Sequence, residues 1–133
     1  MKAPRQFIIV DDDVSNNYLC ECAIGVLFPE CSVTLFTNPE EALIYLTRDV
    51  TLEYDEQSIT LFLDIDMPQM DGWSFLKIFQ SFNGKVREKI MIYILTSSID
   101  PFDKKQAALN AGVSGFLSKP LIVKELEKLF TEK

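Results

Sequence analysis

The stretch LFLDIDMPQMDG, which runs from Leu61 to Gly72, carries the clearest information about the fold of this chain. Its first three residues are apolar, Asp64 ends that run, and Pro68 and Gly72 mark a turn soon afterwards. A short apolar run bounded by turn signals is typical of a strand buried on both faces. Asp64 is therefore expected at the carboxyl end of a buried strand, where open α/β sheets place their functional sites.

Apolar strands and amphipathic helices alternate along the rest of the chain. The predicted strands cover residues 6–10, 32–36, 61–63, 90–95 and 114–118, and a helix is predicted after each of them. Such alternation with right-handed crossovers gives a parallel sheet covered by helices on both faces. We therefore predict an α/β fold in which residues 1–133 form a single domain.

Capping residues and apolar spacing locate the helices. The predicted starts are Ser15 as N-cap of the first helix, Asn38-Pro39 for the second, Asp71-Gly72 for the third and Asp100-Pro101 for the fourth. Asn83-Gly84 is expected to end the third helix, and the polar residues 48–58 are expected to form a long surface loop. The predicted inward-facing residues are Tyr18, Leu19, Cys22, Ala23, Val26 and Leu27 in the first helix, Ala42, Leu43 and Leu46 in the second, Phe75, Leu76, Phe79 and Phe82 in the third, and Leu121, Ile122, Leu126, Leu129 and Phe130 in the last.

Composition excludes several functions. A formal net charge of −7 and a pI near 4.5 disfavour direct binding to nucleic acid or to an anionic membrane, since both need a basic patch. The amino-terminal residues contain no signal-peptide core, and no apolar run is long enough to span a bilayer, so we predict a cytoplasmic protein.

The residue types that are missing also restrict the chemistry. The sequence contains no histidine, which removes the commonest general base and any internal phosphohistidine. Cys20, Cys22 and Cys31 lack zinc-type spacing, and we interpret them as small hydrophobic residues. Any chemistry must therefore use carboxylates, hydroxyls and lysine.

Polar residues follow the predicted strands at the points where those strands end. They are Asp11 to Asp13, Asp64, Thr96 and Lys119. The carboxyl ends of parallel strands share one rim, and carboxylates gathered there repel one another unless a cation neutralises them. An all-oxygen cluster suits Mg²⁺. The set predicts phosphoryl transfer, with Asp64 attacking phosphorus while Mg²⁺, Thr96 and Lys119 hold the phosphoryl oxygens.

Each of these residues has a simpler interpretation when taken alone. Asp64 could cap a helix or turn, and the acidic triplet could cap the first helix. Thr96 could be an ordinary β-branched strand residue, and Lys119 a solvated surface charge. Their coincidence at four strand ends of one predicted sheet favours the functional interpretation.

The chain resembles the receiver domains of bacterial two-component response regulators from its first strand to its last helix. The matching motifs are IVDDD (residues 9–13), LDIDMPQMDG (63–72), LTSS (95–98) and AGVSGFLSKP (111–120). The resemblance implies a flavodoxin-like, doubly wound sheet with strand order 2-1-3-4-5 and five helices. It also implies that the chain is not an enzyme in the usual sense, because it catalyses only its own phosphorylation and dephosphorylation.

The roles of individual residues follow from this resemblance. Asp64 matches the phospho-acceptor, Asp12 the direct metal ligand, and Asp11 the acidic partner that acts mainly through water. Asp66 matches the position that supplies a backbone carbonyl to Mg²⁺. Thr96 and Lys119 match the switch hydroxyl and the phosphoryl-contacting lysine, Phe116 matches the switch aromatic, and Lys119-Pro120 matches a peptide bond that is usually cis.

The resemblance also implies partners. A histidine kinase or phosphotransfer protein is the expected donor, and the fourth helix, fifth strand and fifth helix (residues 101–130) are expected to bind an unknown output protein. The chain is expected to be a monomer or a phosphorylation-dependent dimer. Phe102 is a candidate for exposure on that surface, whereas Phe130 is better explained by core packing.

Two other functions compete with this one. Asp64 and Asp66 resemble the Asp-x-Asp pair of haloacid-dehalogenase-type phosphatases, although that motif normally follows the first strand, and a cap or substrate-binding insertion is expected there. A flavodoxin-like FMN carrier shares the fold outline, but the three aspartates after the first strand would repel a phosphate.

Overall fold

Five parallel strands form one sheet in the order β2-β1-β3-β4-β5. The computed structural model describes residues 4–48 and 58–131. Within these residues the strands are β1 (Gln6–Val10), β2 (Ser32–Phe36), β3 (Ile59–Leu63), β4 (Ile90–Thr96) and β5 (Gly115–Ser118). The predicted α/β class and the strand order 2-1-3-4-5 are confirmed.

Six helices connect or follow these strands in the described part of the chain. They are α1 (Val14–Leu27), α2 (Pro39–Arg48), α3 (Gly72–Phe79), α4 (Gly84–Arg87), α5 (Pro101–Leu109) and α6 (Val123–Thr131). The prediction of five helices missed the four-residue α4, so the predicted fourth and fifth helices are α5 and α6. Most of the predicted loop at 48–58 lies outside the described residues.

Strand register brings the strand ends together. Val10 pairs with Phe36 on one side and with Leu63 on the other, so Asp11 and Asp64 leave adjacent strands at the same level. Because Thr96 pairs with Ser118, the residue that follows each of them lies at the same rim.

The sheet separates two hydrophobic cores because successive strand residues point to opposite faces. Ile8 and Val10 contribute to the core beneath α2 and α3, whereas Phe7 and Ile9 contribute to the core beneath α1 and α6. Phe130 packs edge-on against Phe7 with ring centroids 6.0 Å apart, which agrees with the core interpretation. Among the described helices, none has the length and apolarity to cross a bilayer.

The predicted buried face of α1 is right for two residues and wrong for four: Ala23 is buried and Leu27 packs against the core, whereas the others are exposed. Tyr18, Leu19 and Val26 are exposed by 63%, 49% and 66%, and Cys22 is exposed as well. The residues that point inward are Asn16, Asn17, Cys20, Ala23 and Ile24. The apolar residues of this helix surround most of its circumference, so apolar spacing alone does not identify the buried face. The small-hydrophobe interpretation holds for buried Cys20 but fails for exposed Cys22.

Three predicted helix boundaries also need correction. Asp13, not Ser15, is the N-cap of α1, because its carboxylate accepts hydrogen bonds from the backbone N–H groups of Ser15 and Asn16. Asn83 begins α4 by accepting from the Lys85 N–H at 2.8 Å, so it does not end α3. Leu121 and Ile122 precede α6, because Ile122 supplies the carbonyl that accepts the hydrogen bond from Leu126 at 3.0 Å. Leu121 is nevertheless buried, whereas Ile122 is 47% exposed.

Candidate functional site

Two aspartates directly follow the neighbouring strands β1 and β3, and their side chains are almost fully buried. Asp11 is 1% exposed and Asp64 is 4% exposed. Their backbone N–H groups still take part in the sheet, since Asp11 donates to the Phe36 carbonyl and Asp64 donates to the Val10 carbonyl, both at 3.0 Å. The sheet itself therefore fixes where both carboxylates emerge.

Lys119 joins the two carboxylates. Its backbone N–H donates to the Thr96 carbonyl at 2.9 Å, which holds the residue beside β4. Its ammonium lies 2.6 Å from Asp11 Oδ2 and 3.5 Å from Asp64 Oδ2. The peptide bond that follows, Lys119-Pro120, is cis as predicted. The predicted association of Asp11, Asp64 and Lys119 at one rim is thus present.

Burial and neighbouring charges alter the proton affinities of this group. Burial raises the pKa of Asp64 to about 6, the negative charge of Asp11 adds to that rise, and the positive charge of Lys119 opposes it. Burial lowers the pKa of the Lys119 ammonium, but hydrogen bonding to Asp11 and the charge of Asp64 outweigh burial and raise it overall. One ammonium therefore compensates the two carboxylates incompletely.

Three carboxylates of the acidic group lie close enough together to share a cation. Asp11, Asp12 and Asp64 each offer a carboxylate oxygen, and these oxygens lie within 4.8 Å of one another. Asp12 is exposed, whereas the other two are buried. Carboxylate oxygens are ligands that Mg²⁺ prefers, so the donor set and the incomplete compensation fit a divalent cation. Asp13 does not join the cluster, since its carboxylate caps α1.

Asp66 contacts the acceptor through its backbone. Its N–H donates to Asp64 Oδ1 at 3.3 Å, while its side chain is exposed. The turn that follows packs closely, because a Cβ at Gly72 would lie 2.8 Å from the Asp64 carbonyl oxygen and from the Ile65 Cα. Glycine is therefore required where α3 begins. The contribution of the Asp66 carbonyl to metal binding stays a prediction.

Thr96 is fully buried at the end of β4 and begins a chain of hydrogen bonds. Its Oγ1 accepts from the Ser98 N–H at 3.1 Å. The Ser98 hydroxyl donates to Asp103 Oδ2 at 2.6 Å, and the Trp73 indole N–H donates to Asp103 Oδ1 at 3.3 Å. The loop after β4 is thereby connected to α5 and α3.

Phe116 lies on β5 beside Ile94 and is half-buried against the core. It lines a cavity of about 400 Å³ between α5 and β5, together with Ala107, Ala108 and Val113. The cavity gives the ring of Phe116 space beside the packing position that it occupies here.

Sequence reasoning missed three residues of the site region. Asn16 and Asn17 lie in the first turn of α1, and their side-chain amides bind Asp11. Asp103 was also missed, although it joins Ser98 and Trp73. The available signal was the pair of amide side chains, Asn16 and Asn17, in the first turn of a mostly apolar helix.

Comparisons with known proteins agree on one family. The family model described as the response regulator receiver domain matches residues 7–131. The chain is 35% identical over 117 residues to the two-component response regulator ARR22 of Arabidopsis thaliana, covering 86% of this chain and 72% of that protein. It is 33% identical over 119 residues to the cyclic di-GMP phosphodiesterase response regulator RpfG of Xanthomonas campestris, covering 90% of this chain but only 29% of that protein.

A solved structure agrees with these matches. The response regulator receiver protein from Dyadobacter fermentans superposes with a TM-score of 0.83 at 26% sequence identity, covering 96% of this chain and 94% of that one. The similarity thus extends over nearly the whole chain in both sequence and structure.

Proposed function

The chain belongs to the response regulator receiver domain family, and from that premise we propose that Asp64 accepts a phosphoryl group from a phosphohistidine. The donor is a histidine kinase or a phosphotransfer protein. The observation that supports this role is the position of Asp64 at the rim, buried beside Asp11 and 3.5 Å from the Lys119 ammonium. The protein then acts as a signalling module that modifies only itself, and we place it in the cytoplasm.

The transfer requires a carboxylate nucleophile and a charge partner for the phosphoryl oxygens. An oxygen of Asp64 forms the new bond to phosphorus while the bond from phosphorus to the donor imidazole nitrogen breaks, and that nitrogen leaves with the electron pair. Lys119 is placed to contact a phosphoryl oxygen, since its ammonium already lies beside Asp64. Thr96 supplies a hydroxyl once it turns from its present contact with Ser98.

We propose that Asp11, Asp12 and Asp64 hold Mg²⁺ together with the carbonyl of Asp66. The close carboxylate oxygens of the first three residues support this assignment. When bound, Mg²⁺ neutralises the charge that develops on the transferring phosphoryl oxygens. Lys119 and the backbone N–H of Asp66 orient the Asp64 carboxylate for attack.

Phosphorylation is proposed to change the surface formed by α5, β5 and α6. As Thr96 moves toward the phosphoryl group, Phe116 turns inward, and the cavity beside it gives the ring space to do so. Phe102 and Leu109 of α5 are exposed by 59% and 73%, which supports a protein partner on this surface. That partner is an output protein or a second copy of this chain.

Mass spectrometry of the intact protein tests the assignment. With phosphoramidate or acetyl phosphate and Mg²⁺, we expect the chain to gain one phosphoryl group of about 80 Da. Asp64→Asn should abolish the gain, whereas the matched control Asp66→Asn should retain it, because the Asp66 side chain is exposed. Unchanged labelling of Asp64→Asn would contradict the proposal. Repeated turnover of a phosphomonoester that is lost in Asp66→Asn would instead favour the phosphatase alternative.

A further inference from the structure

Two neighbouring asparagines hold Asp11 in different ways. Asn16 Nδ2 donates to the carboxylate oxygen Oδ2 of Asp11 at 2.8 Å, whereas Asn17 Nδ2 donates to the backbone carbonyl of Asp11 at 3.0 Å. Both asparagines lie in the first turn of α1, and they are only 5% and 2% exposed. A polar side chain is rarely buried so completely without a specific partner, and here the partner is the site.

The Asn16 hydrogen bond is linked to the acceptor Asp64 through Lys119. The oxygen that receives the Asn16 amide is also the oxygen that lies 2.6 Å from the Lys119 ammonium. In this orientation Asn16 presents its amide N–H to the carboxylate, whereas the opposite orientation would bring its carbonyl oxygen against a carboxylate oxygen. Asn16 Nδ2 also lies 3.6 Å from Cys20 Sγ, on the buried face of α1.

Rotation of the Asp11 carboxylate is therefore limited at both oxygens. The backbone N–H of Asp13 donates to Oδ1 at 2.8 Å, while Asn16 and Lys119 contact Oδ2. Without Asn16, Lys119 would be the only side-chain donor to Oδ2 within the described residues, and only the Asp13 N–H would hold the other oxygen. Lys119 must also remain available to Asp64. Because Asn16 is a second donor to Oδ2, Lys119 does not have to orient the Asp11 carboxylate and contact Asp64 at the same time.

Building on the proposed function, we propose that Asn16 is a positioning residue of the acceptor site. It fixes the Asp11 carboxylate so that one oxygen keeps Lys119 beside Asp64 and the group as a whole presents its oxygens to Mg²⁺. Asn17 holds only the backbone of Asp11 and does not orient the carboxylate. Residues that orient a metal-binding carboxylate in this way typically change metal affinity when they are replaced.

Mg²⁺ titration of unphosphorylated protein by isothermal calorimetry provides the test. Asn16→Ala should weaken Mg²⁺ binding by about tenfold or more. Asn17→Ala is the matched control, because it removes an equally buried amide from the same helix turn, and its Mg²⁺ affinity should stay near that of the wild type. If Asn16→Ala does not fold, Asn16→Leu fills a similar volume without a donor and should show the same weakening.

The outcomes separate this inference from the proposed function. If the wild type neither binds Mg²⁺ nor becomes phosphorylated, the proposed function fails. If the wild type does both and folded Asn16→Ala or Asn16→Leu binds Mg²⁺ with the same affinity, the role of Asn16 is wrong. Equal weakening in Asn17→Ala would also overturn it, because the effect would then come from the docking of α1.

Discussion

Asp11 and Asp64 end neighbouring strands, share one rim and are almost equally buried, yet their surroundings differ sharply. Asp11 receives the Asp13 N–H at 2.8 Å, the Asn16 amide at 2.8 Å and the Lys119 ammonium at 2.6 Å. Asp64 receives the Asp66 N–H at 3.3 Å and lies 3.5 Å from Lys119.

The difference shows how one residue type serves two purposes at one rim. Short hydrogen bonds compensate the burial of Asp11 and fix its orientation, which suits a carboxylate that is held in place for a cation. Asp64 is buried with longer contacts, so its charge is less well compensated and its oxygens remain available to a phosphoryl group. Weak local compensation is thus the property that distinguishes the proposed nucleophile from its neighbour.

Removing the Lys119 ammonium, which contacts both aspartates, should have the largest effect on stability. Lys119→Met leaves two buried carboxylates close together without their ammonium, and we expect the free energy of unfolding at pH 7 without Mg²⁺ to fall by about 3–5 kcal/mol. Urea denaturation followed by circular dichroism measures the change. Lys124→Met, at an exposed position of α6, is the matched control and should change stability by about 0.5 kcal/mol or less. Equal losses in the two variants would mean that Lys119 contributes no more than a surface charge.

Titration of Asp64 should show the second-largest effect. In metal-free protein we expect the Asp64 carboxyl carbon to titrate by NMR with a pKa of about 6, because burial and the charge of Asp11 disfavour its ionised form. Asp11→Asn should move that pKa toward the ordinary range, since it removes the neighbouring charge. An unchanged pKa in Asp11→Asn would show that the charge of Asp11 does not contribute to the rise.

The raised pKa also predicts how stability depends on pH. The folded state holds the Asp64 proton more tightly than the unfolded state does, so its contribution to stability is present below the unfolded-state pKa and is lost as the pH rises through about 6. Asp64→Asn removes this loss and should be about 1 kcal/mol more stable than the wild type at pH 7, a value reduced for solvent screening at the rim. If unfolding curves at pH 4 and pH 7 show the same difference between the two proteins, ionisation of Asp64 is not the cause.

The sequence was sufficient to predict which polar residues meet at the rim, because abrupt changes of residue type mark the strand ends. Asp11, Asp64, Thr96 and Lys119 each follow or end an apolar run, and a parallel sheet requires such residues to meet. The strand order came from the resemblance to a family, since the apolar runs do not themselves specify which strands are neighbours.

The inward face of α1 could not be predicted in the same way. Apolar residues predict a buried face only where the opposite face is polar, and α1 carries Tyr18, Leu19 and Val26 on its exposed side. Its inward face includes Asn16 and Asn17, whose burial depends on hydrogen bonds to Asp11 that become visible only in three dimensions. The unequal surroundings of Asp11 and Asp64 could not be predicted from the sequence for the same reason.

The smallest expected effect concerns the hydrogen bonds that connect the surroundings of each aspartate with the rest of the molecule. The side-chain contacts of Asp11 end on α1 and Lys119, whereas Thr96, at the end of β4 next to β3, leads through Ser98 and Asp103 to the indole of Trp73. Trp73 is the only tryptophan in the sequence, so its fluorescence reports on this connection. Phosphorylation should turn the Thr96 hydroxyl, release the Ser98 N–H and alter the Asp103–Trp73 contact, which gives a small shift of the emission maximum.

Three variants decide whether the shift follows this connection. Asp64→Asn should show no shift with phosphoramidate and Mg²⁺, because no phosphoryl group is attached. Ser98→Ala should still gain a phosphoryl group by mass but lose most of the shift, since the hydroxyl that donates to Asp103 is missing. Ser97→Ala, which changes an exposed neighbour, should keep it. A full shift in Ser98→Ala would mean that Trp73 senses the acceptor by another path, and the contrast between the two aspartates would then be confined to the rim.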